Sequence, residues 1–578
     1  MTKPVCPADD CPGGDFRLTD IQSAIPPLPD LRRQGPPAYP VPLSRRPQPK
    51  PLDRSPMPPK KPVTPQTTAQ QLGAIIKSAR NIMRKDKGLN GDLDRLPMLT
   101  WIMFLKFLDD MEHLRETNAA LAGTPFRPDI APPYRWRDWG ADAGGITGAE
   151  LIAFVNNDEA MRPNGTRGAG LFYYLRGLRS VDGADRRDVI ATVFKGMQNR
   201  MADGYLLRDV ITLVDGIHFT ASAEMHTLSR LYETLLREMR DAAGDSGEFY
   251  TPRPAVRFMV QVMDPRLGET VLDPACGTGG FLVESFVHLQ QQCRSVADLA
   301  TLQETSIRGG EAKSLPYLLA QMNLLLHGLN YPRIDPGNSL RVPLRDLTDQ
   351  DRVDLILTNV PFGGEEDRGI LSNFPKDRQT AETALLFLQL IMRRLKRPGP
   401  GNDRGGRAGV IVPNGTLFGD GVCARVKEDL LKHYHVHTIV RLPEGVFAPY
   451  TDIPSNLIFF DRSGPTETIW YYRVPLPAGR RKFTKTKPME DADLAACLAW
   501  WVDRKEGADA WRVNVADVLK YDAEGRLLSV NLDIKNPHGL EALEHREPLE
   551  LLDDMLRKER RVNDLLAEIR TLIDRTAA

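Results

Sequence analysis

The chain has 578 residues, too many for one hydrophobic core, and two or three domains are expected. Its 76 Lys+Arg balance 76 Asp+Glu, which excludes a whole-protein basic field and leaves nucleic-acid contact to a local patch or a partner. The six cysteines (Cys6, Cys11, Cys276, Cys293, Cys423, Cys497) are scattered, without a secreted disulfide framework or paired zinc spacing, and no metal site is expected. With no run of 18 apolar residues and no signal-peptide pattern, the expectation is a soluble, cytoplasmic protein that avoids membranes.

Residues 1–66 hold 18 of the 46 prolines, in runs such as "IPPLPDLRRQGPPAYPVPLSRRPQPKP". Proline fixes φ and removes a donor, so a disordered tail with polyproline character is predicted. From Gln70, "QQLGAIIKSARNIMRK" and "LPMLTWIMFLKFLDDMEHLRETN" carry apolar residues at helical spacing, with Met98, Trp101, Phe104, Leu105 and Leu108 on one face. With further helices around 186–202 and 223–241, residues 67–243 read as a helical domain.

Residues 244–490 alternate instead. Short apolar runs "ETVLD", "SIRGGE", "VDLILTN", "AGVIVP" and "HTIVRL" are separated by helical stretches such as "SLPYLLAQMNLLLHG", "ETALLFLQLIMRRL" and "CARVKEDLLKH". That pattern predicts an α/β domain, a mostly parallel sheet with helices on both faces. The later runs "SNLIFFDR" and "TIWYYRVP" lack an intervening helix and are expected to pair antiparallel at its edge. Residues 491–578 read as a C-terminal helical region. Its final "LEALEHREPLELLDDMLRKERRVNDLLAEIRTLIDR" has heptad-like leucines that either pack back on the domain or dock a partner helix.

The stretch "VLDPACGTGGF" (271–281) ends a strand in Asp273 and continues through Ala275, Gly277, Thr278, Gly279 and Gly280 into a helix. Glycines let backbone N–H groups approach a ligand at a helix N-terminus. The third glycine of a dinucleotide loop is missing, and a carboxylate beside a pyrophosphate is repulsive. Beside an ammonium or sulfonium it is favourable, which turns the reading toward S-adenosylmethionine. An ordinary helix-entry turn is the alternative. Glu311, after the next strand, is placed to take ribose hydroxyls, and Asn338 in "RIDPGNSL" to pair with an adenine edge. Thr251 in "GEFYTPR" is expected to cap a helix with Pro252 at its first position.

The fourth strand runs into Asn359-Val360-Pro361-Phe362. In an open α/β sheet, ligands bind beyond the carboxyl ends of the strands. There, the Asn359 side-chain oxygen and the Val360 carbonyl can accept both hydrogens of an exocyclic amine, making its nitrogen nucleophilic. Phe362 can stack on the base. A strand-end turn with a packed phenylalanine is the alternative.

Taken in order, "GEFYTPR", "DPACGTGGF", "NVPFGG", "TKTKP" (484–488) and "SVNLDIKNPH" (529–538) make the chain, from about residue 70 to its end, resemble the modification subunits of type I restriction–modification systems. These belong to the N6-adenine DNA methyltransferases. The resemblance implies a Rossmann-like S-adenosylmethionine-dependent methyltransferase domain with a mixed, mostly parallel seven-stranded sheet. It implies Tyr250 and Thr251 at the methionine end of the cofactor, held also by Asp273, Ala275, Gly277, Thr278, Gly279, Gly280, Glu311 and Asn338. Asn359, Pro361 and Phe362 would form the catalytic motif. The methyl acceptor would be an adenine flipped out of double-stranded DNA. A specificity (S) subunit would choose the target, a restriction (R) subunit would be a further partner, and two modification subunits would serve each specificity subunit. Val360 departs from the family's proline: the carbonyl survives, the rigidity does not. A cofactor-binding scaffold without catalysis, or a methyltransferase of another amide or amine, stays open.

Two features stand apart. "HYHVH" puts His433, His435 and His437 two apart, on one face if extended, and they are read as surface or edge histidines. The basic runs 393–407 and 479–487 are candidates for phosphate contact.

Overall fold

Large aromatic side chains organise the first layer. In the computed structural model, which describes residues 69–142, 144–179, 186–217, 251–362, 364–448, 451–538 and a few positions between 552 and 566, Trp101 is fully buried and packs edge-on to Phe172 at 5.1 Å. The helices Ala69–Met83, Asp92–Ala122, Gly148–Asn156, Leu171–Gly177, Arg186–Lys195 and Gly204–Asp215 surround that core, beside a small hairpin of β1 (Glu159–Met161) and β2 (Arg167–Ala169). Met98, Trp101, Phe104, Leu105 and Leu108 are all buried in it, as their spacing predicts. The helix expected over 186–202 stops at Lys195, before Gly196, and a new one starts after Asp203, whose carboxylate accepts from Tyr205 N–H (2.8 Å) and Leu206 N–H (3.2 Å). The helix expected over 223–241 and the tail 1–66 lie outside the described residues.

This helical layer does not end at its own sequence. Leu318, Leu319, Met322 and Leu325, on helix Ser314–Leu326, belong to the same apolar core. The layer therefore grips the helix that begins three residues after Glu311.

The second layer is a sheet of β3 (Val271–Asp273), β4 (Ile307–Gly310), β5 (Arg333–Asp335), β6 (Leu355–Asn359), β7 (Arg407–Pro413), β8 (His435–Arg441), β9 (Ser455–Asp461), β10 (Thr468–Arg473) and β11 (Ala510–Asn514). Their spatial order is β11-β10-β8-β9-β7-β6-β3-β4-β5, nine strands rather than the seven expected. The run from β7 through β6, β3 and β4 to β5 is parallel. Chain order reverses between β3 and β6, the switch point at which such sheets open a ligand crevice.

Two edge expectations are corrected. β9 is antiparallel to both neighbours but lies inside the sheet, between β7 and β8. All seven of its residues are buried, as suits a strand covered on both faces. β10 pairs parallel with β8, not antiparallel. The boundary at 490/491 is also displaced, because β11 pairs antiparallel with β10 and Trp511 stacks on Tyr471 at 5.3 Å. A further hairpin, β12 (Leu519–Tyr521) with β13 (Leu527–Val530), follows. Residues 491–530 thus extend the α/β layer instead of starting a helical region. The described positions between 552 and 566 are helical, with Leu552, Leu556, Leu565 and Leu566 exposed.

Candidate active site

The glycine turn joins β3 to helix Gly280–Gln290. Gly277 (φ 53°) and Gly279 (φ 79°) adopt the left-handed region, which is strained for any residue with a Cβ. Neighbours pin the turn from three sides. Asn323 Nδ2 donates to the Thr278 carbonyl (3.0 Å), Ser339 Oγ to the Pro274 carbonyl (2.7 Å), and Arg253 Nη1 to the Gly280 carbonyl (3.1 Å).

Two buried carboxylates flank it. Asp273 Oδ1 accepts from Thr358 Oγ1 (2.7 Å) and Ala275 N–H (3.1 Å). Burial nevertheless pushes its carboxyl up to about 7, against those hydrogen bonds and with Glu311 adding repulsion. Glu311 Oε2 accepts from Gly277 N–H (3.0 Å) and Oε1 from Lys313 N–H (2.8 Å), and burial raises its pKa above the usual carboxylate range.

Asn359 closes β6, paired with Ile411 of β7. Its Oδ1 is buried without a hydrogen-bond partner. A buried, unmade acceptor costs about 1–3 kcal/mol, and the fold tolerates it where the side chain meets a cavity. Val360 is 1% exposed, and its N–H reaches the Ile411 carbonyl at 3.4 Å, a bond a proline could not make. Burial and this ladder contact hold the position.

One cavity of about 240 Å³ brings these groups together. Of the expected residues, Thr251, Asp273, Ala275, Gly277, Thr278, Gly280, Glu311, Asn338, Asn359 and Pro361 line it. Gly279 shapes the turn without lining the cavity. Phe362 stands outside the lining, half-buried, edge-on to Phe447 at 5.9 Å. Tyr250 lies outside the described residues. Thr251 does not cap: the helix begins at Arg253, Pro252 takes the cap position, and no side-chain cap bond forms. Asn338 is engaged locally, its Oδ1 accepting from Leu340 N–H (2.9 Å) and its Nδ2 donating to Glu366 Oε2 (3.1 Å).

Sequence reasoning missed Thr358, Asn323, Ser339 and Arg253, whose roles follow from tertiary contacts. It also missed Glu365 and Glu366, which line the cavity. Here a signal existed, two acids following the Asn-Val-Pro-Phe motif after Gly363 and Gly364. Of the three histidines only His433 is exposed; His435 and His437 lie on β8, inside the sheet rather than at its edge. His433 ends helix Val422–His433, His437 sits at a bulge in β8 with burial pushing it down to about 3, and the described residues hold no cluster fit for a metal ion. The described cysteines are free, and no described helix is long and apolar enough to cross a membrane.

Known proteins match this chain in sequence and in fold. Residues 223–538 match the family model N-6 DNA Methylase. The chain is 41% identical over 512 residues to the type I restriction enzyme EcoEI methylase subunit of Escherichia coli, covering 87% of this chain and 97% of that one. A crystal structure from Vibrio vulnificus YJ016, described as a modification subunit of a type I restriction enzyme, superposes with a TM-score of 0.80 and 72% identity, covering 84% of this chain and all of that one. A chain from a structure concerned with assembly and conformational transition of the type I restriction–modification system superposes at TM-score 0.66 with 38% identity over 88% of this chain and 99% of that one. The chain belongs to the N-6 DNA methylase family, among the modification subunits of type I restriction enzymes.

Proposed function

We propose that the chain moves a methyl group from S-adenosylmethionine to N6 of an adenine flipped out of duplex DNA, at a target chosen by a specificity subunit. One observation carries this reading: the buried, unpartnered Asn359 Oδ1, in a cavity whose wall also holds two carboxylates and a glycine turn. That wall fits the cofactor. Asp273 suits its ammonium, Glu311 its ribose hydroxyls, and the Asn338–Glu366 pair its adenine edge. When bound, the cofactor supplies an electrophilic methyl on a sulfonium.

The chain's own residues do the rest. Asn359 Oδ1 and the Val360 carbonyl accept both hydrogens of the adenine amine and draw its lone pair out of ring conjugation. Phe362, braced by Phe447, offers a ring for stacking the base. No strong base is needed, because the proton leaves after transfer. DNA, a specificity subunit and a restriction subunit are the partners, with two copies of this chain per specificity subunit. Exposed Leu552, Leu556, Leu565 and Leu566 provide an apolar stripe for a partner helix. A filter assay offering labelled methyl donor with duplex DNA or with protein acceptors decides the substrate class. Label on DNA alone is expected; label on protein alone contradicts the reading.

Cofactor affinity depends on pH through Asp273. Its folded pKa, about 7, lies above the unfolded value, so its contribution to stability is full at low pH and is lost as pH rises through 7. A bound ammonium favours the carboxylate and reverses that loss. Between pH 8 and pH 6 the affinity should fall by roughly tenfold, and Asp273→Asn should flatten the dependence. Calorimetry at both pH values measures it. Val360→Pro trades the Ile411 contact for ring rigidity, so turnover within about threefold of the parent is expected, a difference under 1 kcal/mol in barrier. A silent parent activated by Val360→Pro would identify a scaffold instead.

A further inference from the structure

At the carboxyl edge of the sheet the functional groups fall in spatial order. Glu311 follows β4, Asp273 ends β3, and Asn359 ends β6. Next comes β7, which leads through Asn414 into the one-turn helix Gly415–Phe418. Beyond it, the segment entering β9 carries Ile453, and the end of β8 meets the basic loop 479–487. The Phe483 N–H donates to the Glu444 carbonyl (3.0 Å), and Lys482 pairs with Asp452 (3.2 Å). If the cofactor occupies the β3–β4 side, the duplex that delivers the adenine must approach from the β7–β9–β8 side.

Phe418 stands on that side, 52% exposed, with Ile453 44% exposed nearby, and the two segments are tied by the Asn414 N–H donating to the Pro454 carbonyl (2.8 Å). Exposure of a large ring is unremarkable alone. Its mounting is not. The adjacent Leu417 is fully buried, and its carbonyl accepts from both Leu532 N–H (2.8 Å) and the Nζ of Lys427 (2.8 Å), a lysine only 1% exposed. The turn is clamped to the core while its terminal ring is held out in water.

We infer that Phe418 is the wedge that enters the base stack vacated by the flipped adenine, while Asn359 one strand away receives the base and the loop 479–487 steadies the phosphates. Apolar side chains inserted between base steps are a general device for holding a duplex open. The rigid turn suits it, since a ring pre-set by its backbone loses little entropy on insertion. The inference rests on the methyl-transfer reading.

The test uses the chain in complex with its specificity subunit and two duplexes, one with the target adenine paired and one with it mispaired, where flipping is easier. Phe418→Ala should lower kcat/KM by roughly tenfold or more on paired DNA, recover most of that loss on mispaired DNA, and leave cofactor affinity unchanged. Phe418→Trp should stay near the parent. With 2-aminopurine at the target, the parent should raise fluorescence and Phe418→Ala should not. Equal losses on both duplexes, no loss on either, or a complex that falls apart on gel filtration would overturn the wedge. A parent that methylates neither duplex would overturn the methyl-transfer reading and the wedge together.

Discussion

Asn359→Ala should lower kcat on the order of a hundredfold or more, with cofactor affinity nearly unchanged. The acceptor bonds from Asn359 strengthen as the adenine nitrogen becomes tetrahedral, so their loss falls on the transition state and spares ground-state binding. The same substitution should leave the melting temperature equal or higher. In the folded protein Asn359 Oδ1 is buried without a partner, and removing an unmade acceptor relieves a cost rather than breaking a bond. A purely structural asparagine would do the opposite, losing stability and activity together. Steady-state kinetics with partner subunit and DNA, beside a melting curve, separate the two.

Glu311→Ala should weaken S-adenosylmethionine binding ten- to hundredfold, since each charge-assisted hydrogen bond is worth about 1.5–3 kcal/mol. Part of that loss is indirect, because Glu311 also holds the Gly277 and Lys313 N–H groups and so fixes the glycine turn. Glu311→Gln should be no milder. Both carboxylate oxygens already face backbone donors, and an amide would turn its own N–H₂ toward one of them. Unchanged calorimetric affinity in Glu311→Ala would remove the residue from the site.

Much of this was legible in the sequence, for a physical reason. Asp273 and Asn359 each end a run apolar enough to be a buried strand, Glu311 follows the short run "SIRGG", and strand ends on one edge of a parallel sheet converge. What stayed hidden was pairing at a distance. "SNLIFFD" announces a buried strand, but nothing local says that it inserts antiparallel between β7 and β8. "AWRVN" follows a helix and declares itself a sheet strand only through Tyr471 and its neighbours on β10. The supporting contacts of Thr358, Asn323 and Ser339 depend on which strand or helix lies alongside, which no spacing encodes. The cap expected at Thr251 fails because the helix starts at Arg253, with Pro252 in the cap position, a shift that the residue types alone do not announce. At Val360 the sequence gives no hint that the residue is buried and tied to Ile411.

Adenine-N6 methylation by this chain, with Asn359 at the reacting nitrogen, can be read in cells. The most direct measurement co-expresses the chain with its specificity subunit in a host lacking adenine methylation and maps N6-methyladenine across the host DNA. Methylation at one recurring target sequence is expected, sharply reduced by Asn359→Ala although the variant protein still binds S-adenosylmethionine. Undiminished methylation in Asn359→Ala, or a parent that binds cofactor and partner yet leaves the DNA unmethylated, would contradict it.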